Sequence, residues 1–163
     1  VKRAKESEYS IENALEARKT AQRNKKSFVL TNGCFDIIHA GHAFSLNEAS
    51  TFGDVLWVGL NSDASIRRIK GKNRPINSEV DRAYLLSSLS PVAGVFIFNQ
   101  IDLSYEISLL KPDIYIKSDD YSLSTINTEE KLALHHAGTE IRFVPMVKNH
   151  STSNIIDKIK SSE

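Results

Sequence analysis

At 163 residues and 18.2 kDa the chain has the length of one domain, enough for a single hydrophobic core and too short for two ordinary enzyme domains. Twenty-one Lys and Arg against 20 Asp and Glu leave a net charge of +1, which argues against gripping nucleic acid by bulk charge, while 40% apolar residues, 7 Gly and 4 Pro argue against a disordered or fibrous chain. One Cys excludes an internal disulfide and a cysteine-built metal site, no apolar run approaches a membrane span, and Val1-Lys2-Arg3-Ala4-Lys5 lacks a signal-peptide apolar core, so a cytoplasmic setting without a membrane partner is expected.

Residues 1–9 are polar and read as a frayed N-terminus, leaving 10–163 as the domain. Ser10 to Asn24 is amphipathic through Ile11, Ala14, Leu15 and Arg18 and predicts a first helix. The apolar run Phe28 to Leu30 predicts a strand. A helix follows, with Ala43, Leu46 and Ala49 at every third position before a stop at Gly53. Val55 to Leu60 predicts the second strand, and the segment after it is read as a loop. Ser78 with Asp81 resembles a capping box opening a helix with Val80 and Tyr84 on one face. Val95 to Phe98 is the third strand. Leu103, Ile107 and Leu110 share the face of a helix that Pro112 prevents from continuing. Ile114 to Ile116 is the fourth strand, Thr128 to Ala137 a helix ended by Gly138, and Ile141 to Val144 the fifth strand. Asn154 to Lys160 closes the chain as a helix with Ile155, Ile156 and Ile159 turned inward. The first four apolar runs are continuous rather than alternating, which suits strands covered on both faces. Strand and helix in alternation imply right-handed crossovers, hence an α/β class with a doubly wound, five-stranded parallel sheet, flanking helices, and ligands at the carboxyl ends of the strands.

The first strand runs into Thr31-Asn32-Gly33-Cys34-Phe35-Asp36-Ile37-Ile38-His39-Ala40-Gly41-His42, so two imidazoles three apart stand at a strand end and a helix start. Free backbone N–H groups and the helix dipole favour an anion there, and Gly41 lets a phosphate approach the main chain. Histidines so placed can donate hydrogen bonds to a phosphate gaining charge. The other sharp reading is a zinc pair, for which no third ligand has characteristic spacing. Arg67, Arg68, Lys70, Lys72 and Arg74 put five cations within eight residues after the second strand. They suit a solvated face, a nucleic-acid patch or a phosphate clamp, and their place at a strand's carboxyl end favours the clamp. Ser151, Thr152 and Ser153 precede the last helix, as N-caps do. Cys34 reads as a small packed residue, His135 and His136 as exposed helix residues, and His150 as a group able to reach a phosphate.

The stretch TNGCFDIIHAGH resembles the signature of the cytidylyltransferase-like nucleotidyltransferases, a His-x-Gly-His after the first strand of a Rossmann-like fold. Within them it is most similar to the heptose 1-phosphate adenylyltransferases. The likeness continues through Gly53-Asp54, Asn61-Ser62-Asp63, Lys70-Gly71, Arg74-Pro75, Arg82, Pro112-Asp113, Lys117, Asp120-Tyr121 and Ser151 to Ile156. The resemblance implies transfer of AMP from Mg²⁺-bound ATP to D-glycero-β-D-manno-heptose 1-phosphate, releasing pyrophosphate and giving ADP-heptose for lipopolysaccharide or surface-glycan synthesis. It implies His39, His42 and Lys72 as catalytic groups. Nucleotide contacts would come from Thr31, Asn32, Gly33, Cys34, Phe35, Gly41, Lys117, Asp119, Ser151, Thr152 and Ser153, and substrate contacts from Lys70, Arg74 and Arg82. Asp36, Asn61 and Asp63, polar groups near the strand ends, are read as contacts for the acceptor sugar phosphate or a Mg²⁺ shell. No protein-held metal, a homodimer and a separate sugar kinase upstream complete the implied picture.

The chain departs from that pattern at Lys117-Ser118-Asp119-Asp120-Tyr121, where the heptose enzymes usually carry two glycines after the lysine. Two consecutive aspartates occur there in glycerol-3-phosphate cytidylyltransferases, so a CTP-using enzyme is the enzymatic rival. Against it stand Asn32, Lys117, and Met146 where those enzymes carry an arginine, with Lys148 only a point-charge substitute. A nucleotide-binding module without catalysis is the rival of a different class.

Overall fold

The computed structural model describes residues 6–119, 122–145, 147 and 150–161. Asp120-Tyr121, Met146, Lys148 and the first five residues lie outside the described residues. Five strands form one parallel sheet: β1 (Phe28–Gly33), β2 (Val55–Asn61), β3 (Gly94–Phe98), β4 (Ile114–Ser118) and β5 (Glu140–Val144). Their order is β3-β2-β1-β4-β5, the Rossmann-like arrangement expected from the alternation of elements. The helices are α1 (Ile11–Arg23), α2 (Ala40–Ser50), α3 (Asp63–Lys70), α4 (Glu79–Ser87), α5 (Ser104–Leu110), α6 (Thr128–Ala137) and α7 (Thr152–Lys160). None is long and apolar enough to cross a membrane.

Each strand feeds two cores because successive side chains leave opposite faces. Val29, Val58, Leu60 and Ile116 pack with Leu46 of α2 and Ala83 and Leu86 of α4. Phe28, Leu30, Trp57, Phe96 and Tyr115 pack with Ala14 of α1, Ile107 of α5 and Leu134 of α6. At the amino ends of the strands, buried Arg18 donates to Asp113 and to the carbonyls of Leu110 and Lys111, and Asp113 also accepts the Phe28 N–H. This clasp seats α1 against the entry to β4, so Pro112-Asp113 lies at the end of the sheet opposite the carboxyl ends of the strands.

The cues at Ser78 and Gly138 hold: Ser78 caps α4, and Gly138 ends α6 with φ +69°. Five expectations change. Helix α2 ends at Ser50 with Thr51 as its C-cap in a right-handed conformation, and Gly53 has no positive φ, so the helix stops earlier than expected and without a left-handed residue. Glu6–Tyr9 forms one 3-10 turn and Tyr9 is in the core, so the chain is anchored before residue 10. The segment after β2 is helix α3, started by Ser62, whose hydroxyl accepts the Ser65 N–H, and held by buried Ile66. Arg67, Arg68 and Lys70 therefore ride a helix rather than a loop. On α4 the buried face is Arg82, Ala83 and Leu86, and Tyr84 is exposed; on α7 Ile155 and Ile156 are half-buried while Ile159 faces out.

Candidate active site

Strand order reverses beside β1, so β2 and β4 leave on opposite sides and a crevice opens at their carboxyl ends. A cleft of about 770 Å³ fills that place, with the start of α2 on one side and the start of α7 on another. His39 is the N-cap of α2, and its Nδ1 accepts the His42 N–H at 3.4 Å. That bond leaves the ring proton on Nε2, a donor for a ligand. His42 stacks on His39 with ring centroids 3.8 Å apart, and the Phe35 ring meets His42 at 5.0 Å.

Two glycines make this packing possible. A Cβ at Gly33 would lie 2.9 Å from the ring of Phe35, itself held at φ +45°. A Cβ at Gly41 would lie 2.9 Å from the His150 Cβ and 3.0 Å from His39 Nδ1. Gly41 thus leaves room for the His39 ring and the His150 side chain, and it lines the cleft.

Burial pushes the His42 imidazole down to about 4, helped by His39 and Lys70. Burial, then His150, also lowers His39. The pair is therefore neutral at neutral pH, a donor of hydrogen bonds rather than of charge, and His42 Nδ1 is buried without a partner among the described residues. An unfolded His42 takes its proton near the ordinary imidazole value of 6.5, the folded one near 4. Between those values the unfolded state binds more protons, so this contribution to stability is whole above about pH 6.5 and declines as pH falls toward 4. Thermal melts of the wild type should drop across that window more steeply than those of His42→Asn; equal slopes would refute the burial of this ring.

Below the histidine loop the charged residues read as substrate ligands are engaged with one another. Asp36, 2% exposed, accepts Arg74 Nε at 2.5 Å and the N–H groups of Ile76 and Asn77 at 2.7 and 3.1 Å. Burial alone would raise its carboxyl; the bonds from Arg74, Asn77 and Ile76 outweigh that and hold it below the usual range. Arg82, fully buried, donates to the carbonyls of Cys34 and Asn77 and to Asp63 Oδ1 at 2.5, 3.1 and 2.8 Å. Asn61 donates to Ser65 Oγ at 3.0 Å and lies 3.9 Å from the Cys34 sulfur. Burial raises the Cys34 thiol, which removes it as a nucleophile at neutral pH.

The far wall is a polar network. Lys117 Nζ donates to Asn32 Oδ1 at 2.8 Å and pairs with Glu130 Oε2 at 3.2 Å. The Tyr115 hydroxyl is shared between the same two oxygens at 2.9 and 3.3 Å, and Glu130 Oε1 accepts the Leu103 N–H at 3.0 Å. Thr31 donates to the Ile116 carbonyl. Ser151 caps α7 by accepting the Asn154 N–H at 3.1 Å, and Thr152 Oγ1 donates to the Ile37 carbonyl at 3.4 Å, tying the start of α7 to the histidine loop. Asp119 gives its N–H to Val144 at 2.9 Å, continuing the strand ladder. Neither Ser118 nor Asp119 has a positive φ, so neither position requires glycine for its backbone conformation.

The structure thus gathers residues 31–36, His39, Gly41, His42, Asn61, Lys70, Lys117 and Ser151 to Ser153 along one cleft. Asp63, Lys72, Arg74, Arg82 and Asp119 do not line it, and Lys72 is exposed on the turn after α3. Glu130 and His150 do line it, and Glu130 escaped the sequence reading because Glu129-Glu130 looks like an ordinary acidic first helical turn. Among the described residues no set of three His, Cys, Asp or Glu is arranged to hold a metal ion.

A family model described as cytidylyltransferase-like matches residues 30–163. The bifunctional protein HldE of Campylobacter curvus is 45% identical over 159 residues, 97% of this chain and 33% of that protein. Its namesake from Helicobacter pylori is 48% identical over 141 residues, 86% of this chain and 29% of that protein. The chain therefore spans about a third of the length of these curated relatives. Among solved structures, the lipopolysaccharide core biosynthesis protein of Thermoplasma volcanium superposes with a TM-score of 0.62 at 29% identity, covering 77% of this chain and 99% of that one.

Proposed function

The chain belongs to the cytidylyltransferase-like family, and from that premise we propose that it transfers AMP from ATP to a sugar 1-phosphate, D-glycero-β-D-manno-heptose 1-phosphate, releasing pyrophosphate. The observation that carries this reading is the stacked, neutral His39–His42 pair at the start of α2, in a cleft shared with the start of α7. The kinship with bifunctional HldE proteins supports the heptose branch, and the likeness to the Thermoplasma protein agrees with a role in supplying ADP-heptose for lipopolysaccharide or surface glycan.

A sugar phosphate is already an ionised nucleophile at neutral pH, its second pKa being about 6, so attack on the α-phosphorus requires no activated serine or cysteine. Its oxygen forms the new P–O bond, and the bond from the α-phosphorus to the bridging oxygen breaks as pyrophosphate leaves. The protein supplies alignment and donors for the growing charge. In this reading Nε2–H of His39 and the His42 ring donate to phosphate oxygens, and the first N–H groups of α7 with Ser151 to Ser153 cradle the rest of the chain of phosphates. Asn32 and Lys117 face the nucleotide, and Lys70, at the cleft rim, meets the acceptor phosphate. Mg²⁺ arrives as part of the ATP substrate. Arg82, Asp63 and Arg74 brace the loop beneath and touch neither substrate, while Asp36, on the cleft wall, holds Arg74 in that brace. A homodimer in the cytoplasm, fed by a sugar kinase, completes the proposal.

The test is pyrophosphate release with Mg²⁺, crossing ATP and CTP against heptose 1-phosphate and glycerol 3-phosphate. Turnover confined to ATP with the heptose is expected. Turnover confined to CTP with glycerol 3-phosphate would transfer the chain to the rival enzyme, and nucleotide binding with silence in all four wells would favour a binding module.

A further inference from the structure

We propose that Glu130 is a positioning residue for nucleotide binding, holding Lys117 and Tyr115 so that Asn32 offers the cleft its amino group. The inference rests on the nucleotide-binding reading above and concerns the wall opposite the histidines.

Asn32 ends β1 next to the last residue of the strand, half-buried and facing the cleft. An amide side chain has one acceptor end and one donor end, and a protein fixes which way it points by saturating one of them. Here Oδ1 takes both Lys117 Nζ at 2.8 Å and the Tyr115 hydroxyl at 2.9 Å, whereas no acceptor among the described residues takes Nδ2. The end left for a ligand is therefore the donor. A phosphate or ribose oxygen suits it, and a ligand N–H does not.

The two groups that impose this orientation are in turn held by one carboxylate. Glu130, 4% exposed, pairs with Lys117, accepts from Tyr115, and is anchored by the Leu103 N–H at the start of α5. Lys117 sits on β4, Asn32 on β1, Glu130 on α6, so one buried acid ties three elements at the edge of the cleft. A buried cation paired with a fixed anion has little freedom to turn, and removing that anion loosens its seat. Without the Glu130 charge the ammonium loses its fixed seat on the cleft wall, and the Asn32 amide loses one of the two donors that set it.

Two variants separate this from a merely structural role. Glu130→Gln keeps an oxygen for the Leu103 N–H and nearly the same volume but removes the negative charge facing Lys117; Asn32→Asp keeps the acceptor for Lys117 and Tyr115 but replaces the amino donor by an anion. Calorimetry with MgATP should read binding weakened about ten-fold in Glu130→Gln and at least as much in Asn32→Asp. In turnover KM should rise with kcat little changed, and melting should stay close to wild type. In the ligand-free protein the Asn32 side-chain amide resonance should shift in Glu130→Gln. Lys117→Gln breaks the same contact from the other side and serves if Glu130→Gln does not fold. Wild-type affinity in Glu130→Gln, or an unmoved Asn32 resonance, would overturn the proposal while leaving the nucleotidyl-transfer reading intact. A wild-type chain that binds no nucleoside triphosphate would overturn both.

Discussion

Replacing His42 by alanine is expected to lower kcat by about 10²- to 10³-fold, the loss typical when one donor to developing transition-state charge is removed. KM for ATP should move far less, because a neutral imidazole gives the ground-state triphosphate only a hydrogen bond. The neutrality is structural: burial, His39 and Lys70 keep the ring deprotonated down to about pH 4. Stability should change little, since the variant also removes the buried Nδ1 that has no partner among the described residues, which offsets part of the lost packing against Phe35 and His39. Steady-state kinetics with a thermal melt of the same preparation decides the matter. Full activity in His42→Ala would remove this ring from the chemistry, and unfolding would make it a core residue.

Arg82→Met should be the most destabilising single change at this end of the sheet, costing about 3–5 kcal/mol and lowering the melting temperature by roughly 10 °C. The guanidinium is fully buried and spends its donors on Cys34, Asn77 and Asp63, so it joins the loop after β1 to α3 and to the start of α4. Methionine fills comparable volume but leaves two part-buried carbonyls and a carboxylate without the Arg82 donors. A phosphate ligand would behave in the opposite way. It would leave the melt unchanged and raise KM, and that pattern would restore Arg82 to the substrate site.

The same contrast explains what was legible in the sequence. Strand and helix order could be read because apolar runs and stops are local: Gly138 ends α6 and Ser78 opens α4 where the residues say so. Helix α3 was missed because Asp63–Lys70 carries only two large apolar residues, Ile66 and Ile69, amid charges, and just one of them is buried. His39, His42, Lys117 and the Ser151-Thr152 pair fall on the cleft because a strand end or helix start fixes their place directly. Asp36, Asp63, Arg74 and Arg82 resemble ligands by type, yet each found a partner from a segment distant in the chain. No periodicity records such pairings. Glu130 is the converse case: only the packing of α6 beside β4 distinguishes it from its neighbour Glu129, which is exposed.

The most direct test of nucleotidyl transfer in this cleft follows oxygen rather than rate. Heptose 1-phosphate labelled with ¹⁸O on its phosphate, incubated with the protein, Mg²⁺ and unlabelled ATP, should yield ADP-heptose carrying all the label in its diphosphate, with the pyrophosphate unlabelled by ³¹P resonance. Label in pyrophosphate or orthophosphate, or pyrophosphate formed without a labelled sugar nucleotide, would contradict attack by the acceptor phosphate on the α-phosphorus.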